Sequence, residues 1–576
     1  MIKPAIAFGI LRRILAAVAV VLVATATGWT QNPPRNEAEL TVAMDELQAG
    51  NASSAAKRLE RMMAGAIGTA KVWRTLGTAY QQLHRPDQAL VAFGKALEIE
   101  PDSPLVFYAL GTVYAQKKDV AHAFEWLNRA RASRRIDMTQ ITQSKDLASL
   151  RNDPRFAKLL PQPAEFDRPF VEDVKIIREW RGEAPNDQFG WIARRMGDVD
   201  GDGIPDMATS APTHGAGGSH AGRVYVYSVG TGRTLWVADG KAGAELGTGL
   251  ESAGDTNGDG IPDVVASGPS AAGVAYIFSG RDGRVLQHFQ SSHPDEEFGR
   301  HVSGAGDFNH DGYADVIVGA PGREGETKTA GHAYVYSGKD GTLLLSLSGE
   351  SAGDEFGSAV AAVNSGQRTR LIVGAAHGGP QRHGRVYVYD EAAQSPKFVI
   401  ESDETGSALG AMFVAGVGDM DGDGVADIYI SDWSNAAKGH STGRVYVYSG
   451  RTGERLLTLT GENAGDGFGT SPSHAADVDG DGHADLIVGA WQYGAEAISG
   501  GRAYLYSGKD GHLLRTYTDR IAGDTFGFDA VGVGDVDGDR TVDFLISAAW
   551  SGVHGYHSGR IFLISSGIIP ADPTPR

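Results

Sequence analysis

A chain of 576 residues has room for two or three domains, and apolar and charged shares of 41% and 21% suit a folded soluble protein. A formal net charge of −19 excludes the clustered Lys and Arg that phosphate binding needs, and with it nucleic acid as a partner. The chain has no cysteine, so its rigidity cannot come from disulfides.

The first segment, 1–26, has the form of a secretory signal. Lys3, Arg12 and Arg13 supply positive charge, Ile14 to Ala26 is an apolar run, and Ala24-Thr25-Ala26 is a small-residue cleavage site. The run is shorter than the roughly 20 residues of a membrane span. The expectation is a cleaved signal, an exported chain and no span in the mature protein, with an uncleaved anchor as the alternative. The mature chain is then periplasmic, cell-surface or extracellular.

Residues 36–133 carry helical periodicity, within a helical repeat domain expected over 36–160. Trp73, Leu76, Gly77, Tyr80, Ala89, Phe93, Ala96 and Pro101 stand at tetratricopeptide spacing, and the pattern recurs as Phe107, Leu110, Gly111, Tyr114, Ala123, Leu127 and Ala130. A looser unit with Ala55, Leu59 and Met62 precedes them. This part resembles a three-unit tetratricopeptide array, with Leu147 to Leu160 expected as a capping helix pair. Such an array offers a groove for a partner peptide; it serves equally as a spacer. Pro161, Pro163 and Pro169 mark a linker over 161–173.

From 174 to 567 the chain repeats, leaving 568–576 as a tail. The 79 glycines far exceed a usual share of about 7%, and Phe-Gly recurs at 189, 298, 356, 468 and 526, with Leu-Gly at 246 and 409. Each of the seven copies runs from this pair through an Asp-Gly loop, a strand such as ADVIVGAP (314–321), a variable loop, a strand such as GRVYVYSG (443–450), a tight turn, and a strand such as ERLLTLTGE (454–462). Four antiparallel strands per copy, apolar on both faces, must be covered on both sides. Stacking around an axis does this, so the expected fold is a multidomain α plus all-β chain, a helical repeat domain followed by a seven-bladed propeller. The last copy stops after GRIFLISS (559–566), and KIIREWRGE (175–183) has the pattern of its missing strand. Residues 174–182 are therefore expected to close the seventh blade.

Six copies carry an oxygen-rich loop, the first being Asp198-Val199-Asp200-Gly201-Asp202-Gly203-Ile204-Pro205-Asp206. Side-chain oxygens at positions 1, 3, 5 and 9 and the carbonyl of position 7 converge by the logic of a short EF-hand loop, and such hard oxygens suit calcium. The expected ligands are Asp198, Asp200, Asp202, Ile204 and Asp206; Asp255, Asn257, Asp259, Ile261 and Asp263; Asp307, Asn309, Asp311, Tyr313 and Asp315; Asp419, Asp421, Asp423, Val425 and Asp427; Asp477, Asp479, Asp481, His483 and Asp485; and Asp535, Asp537, Asp539, Thr541 and Asp543. That makes about six structural calcium ions. A single copy would pass for a plain Asp-Gly turn; six in register do not. The fourth copy has Val363-Asn364-Ser365-Gly366-Gln367-Arg368 and is expected to hold no metal, and Arg540 replaces glycine in the seventh.

Phe-Gly, the DxDGDGxxD loop and IVGAP, repeated sevenfold, resemble the FG-GAP repeat of integrin α-subunit propellers over about 174–566. The resemblance implies structural calcium on the lower face and partner contacts on the opposite one. There lie the variable loops 211–221, 376–383, 432–442, 491–499 and 550–558. Trp433, His440, Trp491, Tyr493, Trp550, His554 and Tyr556 are candidates for an aromatic patch that binds protein or glycan, if the tryptophans are not packed between blades. The expected function is a non-enzymatic binding or adhesion scaffold. The alternative is a lyase- or phospholipase-type enzyme built on the propeller, although no nucleophile elbow, HExxH or phosphate loop is present. A purely structural envelope element is a third reading.

Overall fold

The computed structural model describes residues 35–570, apart from 64–67, 270–272, 292–295, 323–328, 366–367, 392 and 472. The expected signal, 1–26, lies outside the described residues, as does 571–576 of the tail. The chain divides into two compact units. One runs to Pro169 and takes in Gly494–Ser499 and Arg520–Gly523; the other holds the remainder from Phe170.

In the first unit, helices Arg35–Gln48, Ala52–Met63, Ala70–Gln82, Pro86–Ile99, Pro104–Gln116 and Val120–Ser133 pair off in sequence order. Their starts follow local chemistry. Thr69 and Asp119 accept the N–H of the third residue onward at 3.3 Å, and Pro86 and Pro104 open their helices, where a missing N–H costs nothing. A Cβ on Gly77 would stand 2.6 Å from the Phe93 ring, so the glycine sets how closely the two helices of a pair approach. Ala55, Leu59, Leu76, Ala89, Phe93 and Ala96 fill the core as the repeat pattern requires. The stretch Leu147 to Leu160, expected as a capping helix pair, instead forms 3₁₀ turns at Ala148–Leu150 and Phe156–Leu159. Pro154 supplies no N–H, and the Asp153 carboxylate accepts the Arg155 N–H at 2.9 Å, which favours a local turn over a helix.

The second unit contains seven four-stranded antiparallel sheets that form a seven-bladed propeller. Blade 1 comprises Ala193–Arg195, Met207–Ala211, Arg223–Tyr227 and Thr234–Asp239, and the rest follow in order. Outside blade 4 the second strands are buried along their length, as in Asp315–Ala320 and Leu486–Ala490, which explains their unbroken apolar sequences. An apolar core lies between each successive pair of blades, seven in all. The one that closes the ring joins Trp180, Leu545 and Ile561 of blade 7 to Phe189, Met207 and Tyr225 of blade 1. Blade 7 is completed by Ile176–Arg181, antiparallel to Arg560–Ser565 with Trp180 opposite Ile561. The expected clasp is present, and it pairs a strand edge that would otherwise invite association.

The Phe-Gly pairs tie blade to blade. The Phe526 N–H donates to the Gly500 carbonyl of the preceding blade at 2.8 Å, and the Gly527 N–H to Ser547 of its own blade at 3.0 Å. The glycine is needed for a second reason at Gly357, whose φ is +92° and whose Cβ, if present, would stand 2.1 Å from the His332 carbonyl oxygen. Gly357→Ala is expected to lose about 2 kcal/mol, from left-handed strain and the forced shift together. A thermal melt of the variant checks this, and an unchanged midpoint would refute it.

Candidate functional site

Antiparallel blades sort their loops by end. The hairpins between strands 1 and 2, which carry the oxygen-rich loops, share one end with the turns between strands 3 and 4; the loops between strands 2 and 3 and the Phe-Gly entries share the other.

Each oxygen-rich loop is folded by its own carboxylates. In blade 1, Asp198 accepts the N–H groups of Gly201, Asp202 and Gly203 at 2.7–3.1 Å, and Asp202 accepts that of Ile204 at 2.8 Å. The position-1 carboxylates Asp255, Asp307, Asp419, Asp477 and Asp535 repeat this role, as do Asp259, Asp311, Asp423, Asp481 and Asp539 at position 5. Position 9 is buried and faces the blade. Asp206 accepts from Val199 and Val229, Asp263 from Thr256 and Gly280, Asp315 from Phe308 and Gly338, Asp427 from Met420 and Gly450, and Asp485 from Val478 and Gly508. Burial pushes Asp206, Asp315, Asp427 and Asp485 up to about 6 and Asp543 to about 7, against the opposing pull of the backbone N–H groups.

The carboxylates converge. In blades 1, 5 and 6, oxygens of positions 1, 3 and 9 lie within 4.8 Å of one another: Asp198, Asp200 and Asp206; Asp419, Asp421 and Asp427; Asp477, Asp479 and Asp485. In blade 7 the corresponding group is Asp535, Asp537 and Asp539. A buried Asp200 oxygen has no hydrogen-bond donor. Several anionic oxygens gathered this closely repel one another unless a cation lies among them, so the donor set fits a hard divalent ion. In blades 2 and 3, Asn257 and Asn309 stand at position 3, each accepting the N–H of position 5 at 3.0 Å. The position-7 residues Ile204, Ile261, Tyr313, Val425, His483 and Thr541 donate their N–H groups to position 5, and the His483 ring is bound to the Met420 carbonyl at 2.7 Å. Blade 4 is built differently: Ser365 pairs directly with Arg368, leaving no nine-residue loop between its first two strands.

At the other end the expected aromatic patch divides. Trp491, Tyr493 and Trp550 are 3%, 6% and 1% exposed. Trp491 meets Trp550 edge-on at 5.0 Å between centroids and Phe528 at 5.6 Å, Trp550 stacks on His557, and Tyr493 lies under Arg502. These three rings pack the blades, because a large apolar ring is worth more in a dry contact than in water. Trp433 and Tyr556 are half-buried, and His440 and His554 are exposed, the His554 ring 2.8 Å from the Gly182 carbonyl.

Two features escaped the sequence reading. In blades 1, 4, 5 and 6 strand 3 opens with Arg-x-Tyr, and its arginine, joined by the tyrosine in blades 1 and 5, binds an acid from the preceding blade. Arg444 and Tyr446 hold Asp403 at 2.6 and 2.5 Å; Arg223 and Tyr225 hold Glu183 at 3.2 and 3.1 Å; Arg385 reaches Glu350 and Arg502 reaches Glu462. Burial opposes ionisation of Asp403, yet Tyr446, Thr405 and Arg444 hold its carboxyl well below the usual range. In blades 1, 4 and 6 the signal was a Gly-Glu some 35 to 40 residues upstream of Gly-Arg; Asp403 follows Ser402 instead. The second feature is that the turns between strands 3 and 4 bring a cation to each loop of blades 1, 2, 3, 5 and 6: Arg233, Arg281, Lys339, Arg451 and Lys509.

In the helical unit, Gln81 and Gln116, from the first helices of successive pairs, both donate to Asp146 at 3.1 and 2.9 Å, and Tyr108 hydrogen-bonds Ser144. The segment after the last helix thus lies against the side chains that line such an array.

Comparison with known proteins finds an FG-GAP repeat at 196–227 and 298–336, an FG-GAP-like repeat at 419–488 and a tetratricopeptide repeat at 70–103. The chain is similar to integrin alpha-4 of Xenopus laevis, 30% identical over 254 residues that cover 40% of this chain and 24% of that protein. It is similar also to integrin alpha-5 of Xenopus laevis, 32% identical over 238 residues (38% and 22%), and to integrin alpha-V of Gallus gallus, 32% identical over 206 residues (32% and 19%). The match thus spans about a quarter or less of the length of these relatives.

Proposed function

We propose that this FG-GAP-repeat protein, an integrin-α-like seven-bladed propeller preceded by tetratricopeptide repeats, is an exported, calcium-loaded binding scaffold that performs no chemistry of its own. The observation that carries the reading is the division of labour between the propeller's two ends. One end repeats the same self-folded, cation-seeking loop in blade after blade; the other carries loops that differ from blade to blade. Bound calcium would stiffen the first end, with positions 1, 3, 5 and 9 and the position-7 carbonyl as ligands, and would neutralise their charge. The varied loops are then free to meet a protein or glycan partner, with Trp433, His440, His554 and Tyr556 as the available contacts.

Two observations favour a binding role over catalysis. Many of the aspartates that could serve as acid or base are drawn into the loop clusters. At the other end His214 pairs with Glu183, His220 with Glu245 and His377 with Glu355, three pairs that share no carboxylate. Among the described residues no helix is long and apolar enough to cross a membrane. A peptide bound to the helical array would have to displace the Ser144–Asp146 segment, so we assign partner binding first to the propeller.

Arrays of glycans and extracellular proteins, probed with the chain in calcium and in chelator, test the reading. The expected result is calcium-dependent retention of a ligand, weakened about tenfold, or 1.4 kcal/mol, by Trp433→Ala with an unchanged melting temperature. Absence of any retained ligand, or turnover of polysaccharide or phospholipid substrates, would overturn it.

A further inference from the structure

Blade 7 closes its oxygen-rich loop differently from the others. In blades 1, 2, 3, 5 and 6 the nearby cation comes from the blade's own turn between strands 3 and 4. It approaches one carboxylate: Arg233 to Asp200 at 3.5 Å, Arg281 to Asp259 at 3.1 Å, Lys509 to Asp481 at 3.8 Å. Blade 7 has no such turn, because its fourth strand arrives from the other end of the repeat region. The residue that opens that strand is Lys175. Its ammonium bridges two loop carboxylates, 2.7 Å from Asp537 and 2.8 Å from Asp539, and its carbonyl accepts the Ser565 N–H at 3.0 Å.

The rest of the loop departs in the same direction. Asp543 at position 9 does not join the carboxylate group, as its counterparts in blades 1, 5 and 6 do. One buried Asp543 oxygen lacks the N–H that the missing turn gives to Asp206, Asp263, Asp315, Asp427 and Asp485. Position 6 is Arg540 at φ 71°, where the other loops have glycine. Calcium takes six to eight oxygens, and each of these loops offers five positions. With two carboxylates bridged by an ammonium and a third outside the group, too few remain.

We propose that the Lys175 ammonium stands in for a divalent ion in blade 7, so that the strand closing the ring is fastened by a tethered cation and stays fastened without calcium. This rests on the calcium reading of the other five loops. The test is the number of ions retained per chain in equilibrium dialysis at about 10⁻² M calcium, well above the dissociation constants of weak extracellular sites. Five ions are expected for the wild type, six for Lys175→Met and five for Arg540→Gly. Lys175 is half exposed, so its variant keeps its packing. Six ions on the wild type, five on Lys175→Met, or six on Arg540→Gly would each overturn the role given to the lysine. No ions on any of the three would remove the calcium reading, and this inference with it. Hydrogen exchange gives a second readout: amides of Ile176–Arg181 are expected to stay protected on chelation in the wild type and to lose protection in Lys175→Met. Deprotection in both proteins alike would count against the proposal.

Discussion

On the proposed calcium reading, removing calcium is expected to lower the melting temperature of the propeller by about 4–11 °C. Weak sites with dissociation constants of about 10⁻⁴–10⁻³ M, at about 2 mM free calcium, each contribute roughly 0.6–1.8 kcal/mol through mass action. Five loops then contribute about 3–9 kcal/mol, and at roughly 2 cal/mol/K per residue a unit of about 390 residues shifts by a little over 1 °C for each kcal/mol. The physical source is the carboxylate clustering. Without an ion, Asp198, Asp200 and Asp206 and their counterparts repel across less than 4.8 Å. Calorimetry in calcium and in chelator checks this, with magnesium expected to restore less because it demands stricter octahedral geometry and keeps its water. A melting curve indifferent to chelator would reduce the loops to ordinary turns.

Arg560→Met costs about 3–5 kcal/mol, the range for breaking a buried ion pair from one side. Arg560 is fully buried, and so are Asp519 and Asp524 beside it. Its Nε donates to Asp524 at 2.9 Å, and its Nη1 reaches Glu179 of the closing strand at 3.3 Å. The guanidinium therefore joins the entry to blade 7, its third strand and the clasp. Methionine fills much of the volume but leaves two carboxylates in a dry site without a counter-charge. Desolvation already pushes Asp524 toward its neutral form, and Arg560 is what opposes this. Adding Asp524→Asn to Arg560→Met should recover part of the loss. A loss below about 1 kcal/mol for the single variant would show that water reaches the site.

The blades and their loops were legible because each is written several times over. A period of 52 to 59 residues repeats the local code until chance is no rival. The closing strand was legible for the same reason, since Ile176–Arg181 has the pattern of every other fourth strand. What stayed hidden depends on partners far away in sequence. Nothing local marks Arg444 and Tyr446 as holders of Asp403, about 40 residues earlier and in another blade. Lys175 meets its carboxylates 364 positions on. The tryptophans mislead in another way. Trp433, Trp491 and Trp550 occupy one repeat position, but their neighbours decide their exposure. Phe528 and His557 bury two of the rings, while Trp433 stays half in water. In the helical unit, Pro154 and the Asp153 side chain turned an expected helix into 3₁₀ turns, a contest between propensity and side-chain hydrogen bonding that composition alone does not settle.

The clasp also sets an order of events during synthesis. Ile176–Arg181 leaves the ribosome before any blade exists, and the strand it pairs with is made near the end of the chain; Glu179 and Arg560 are 381 residues apart. Blades 1 to 6 contain all their own strands and can fold as they emerge. The first strand must wait unpaired until the last one arrives, carrying the open edge of the ring with it. Closure is then a single long-range step, slow for entropic reasons and late by construction. A nascent chain halted before blade 7 would have six blades and a gap, and that gap is where a chaperone or a second nascent chain would find a free strand to pair with.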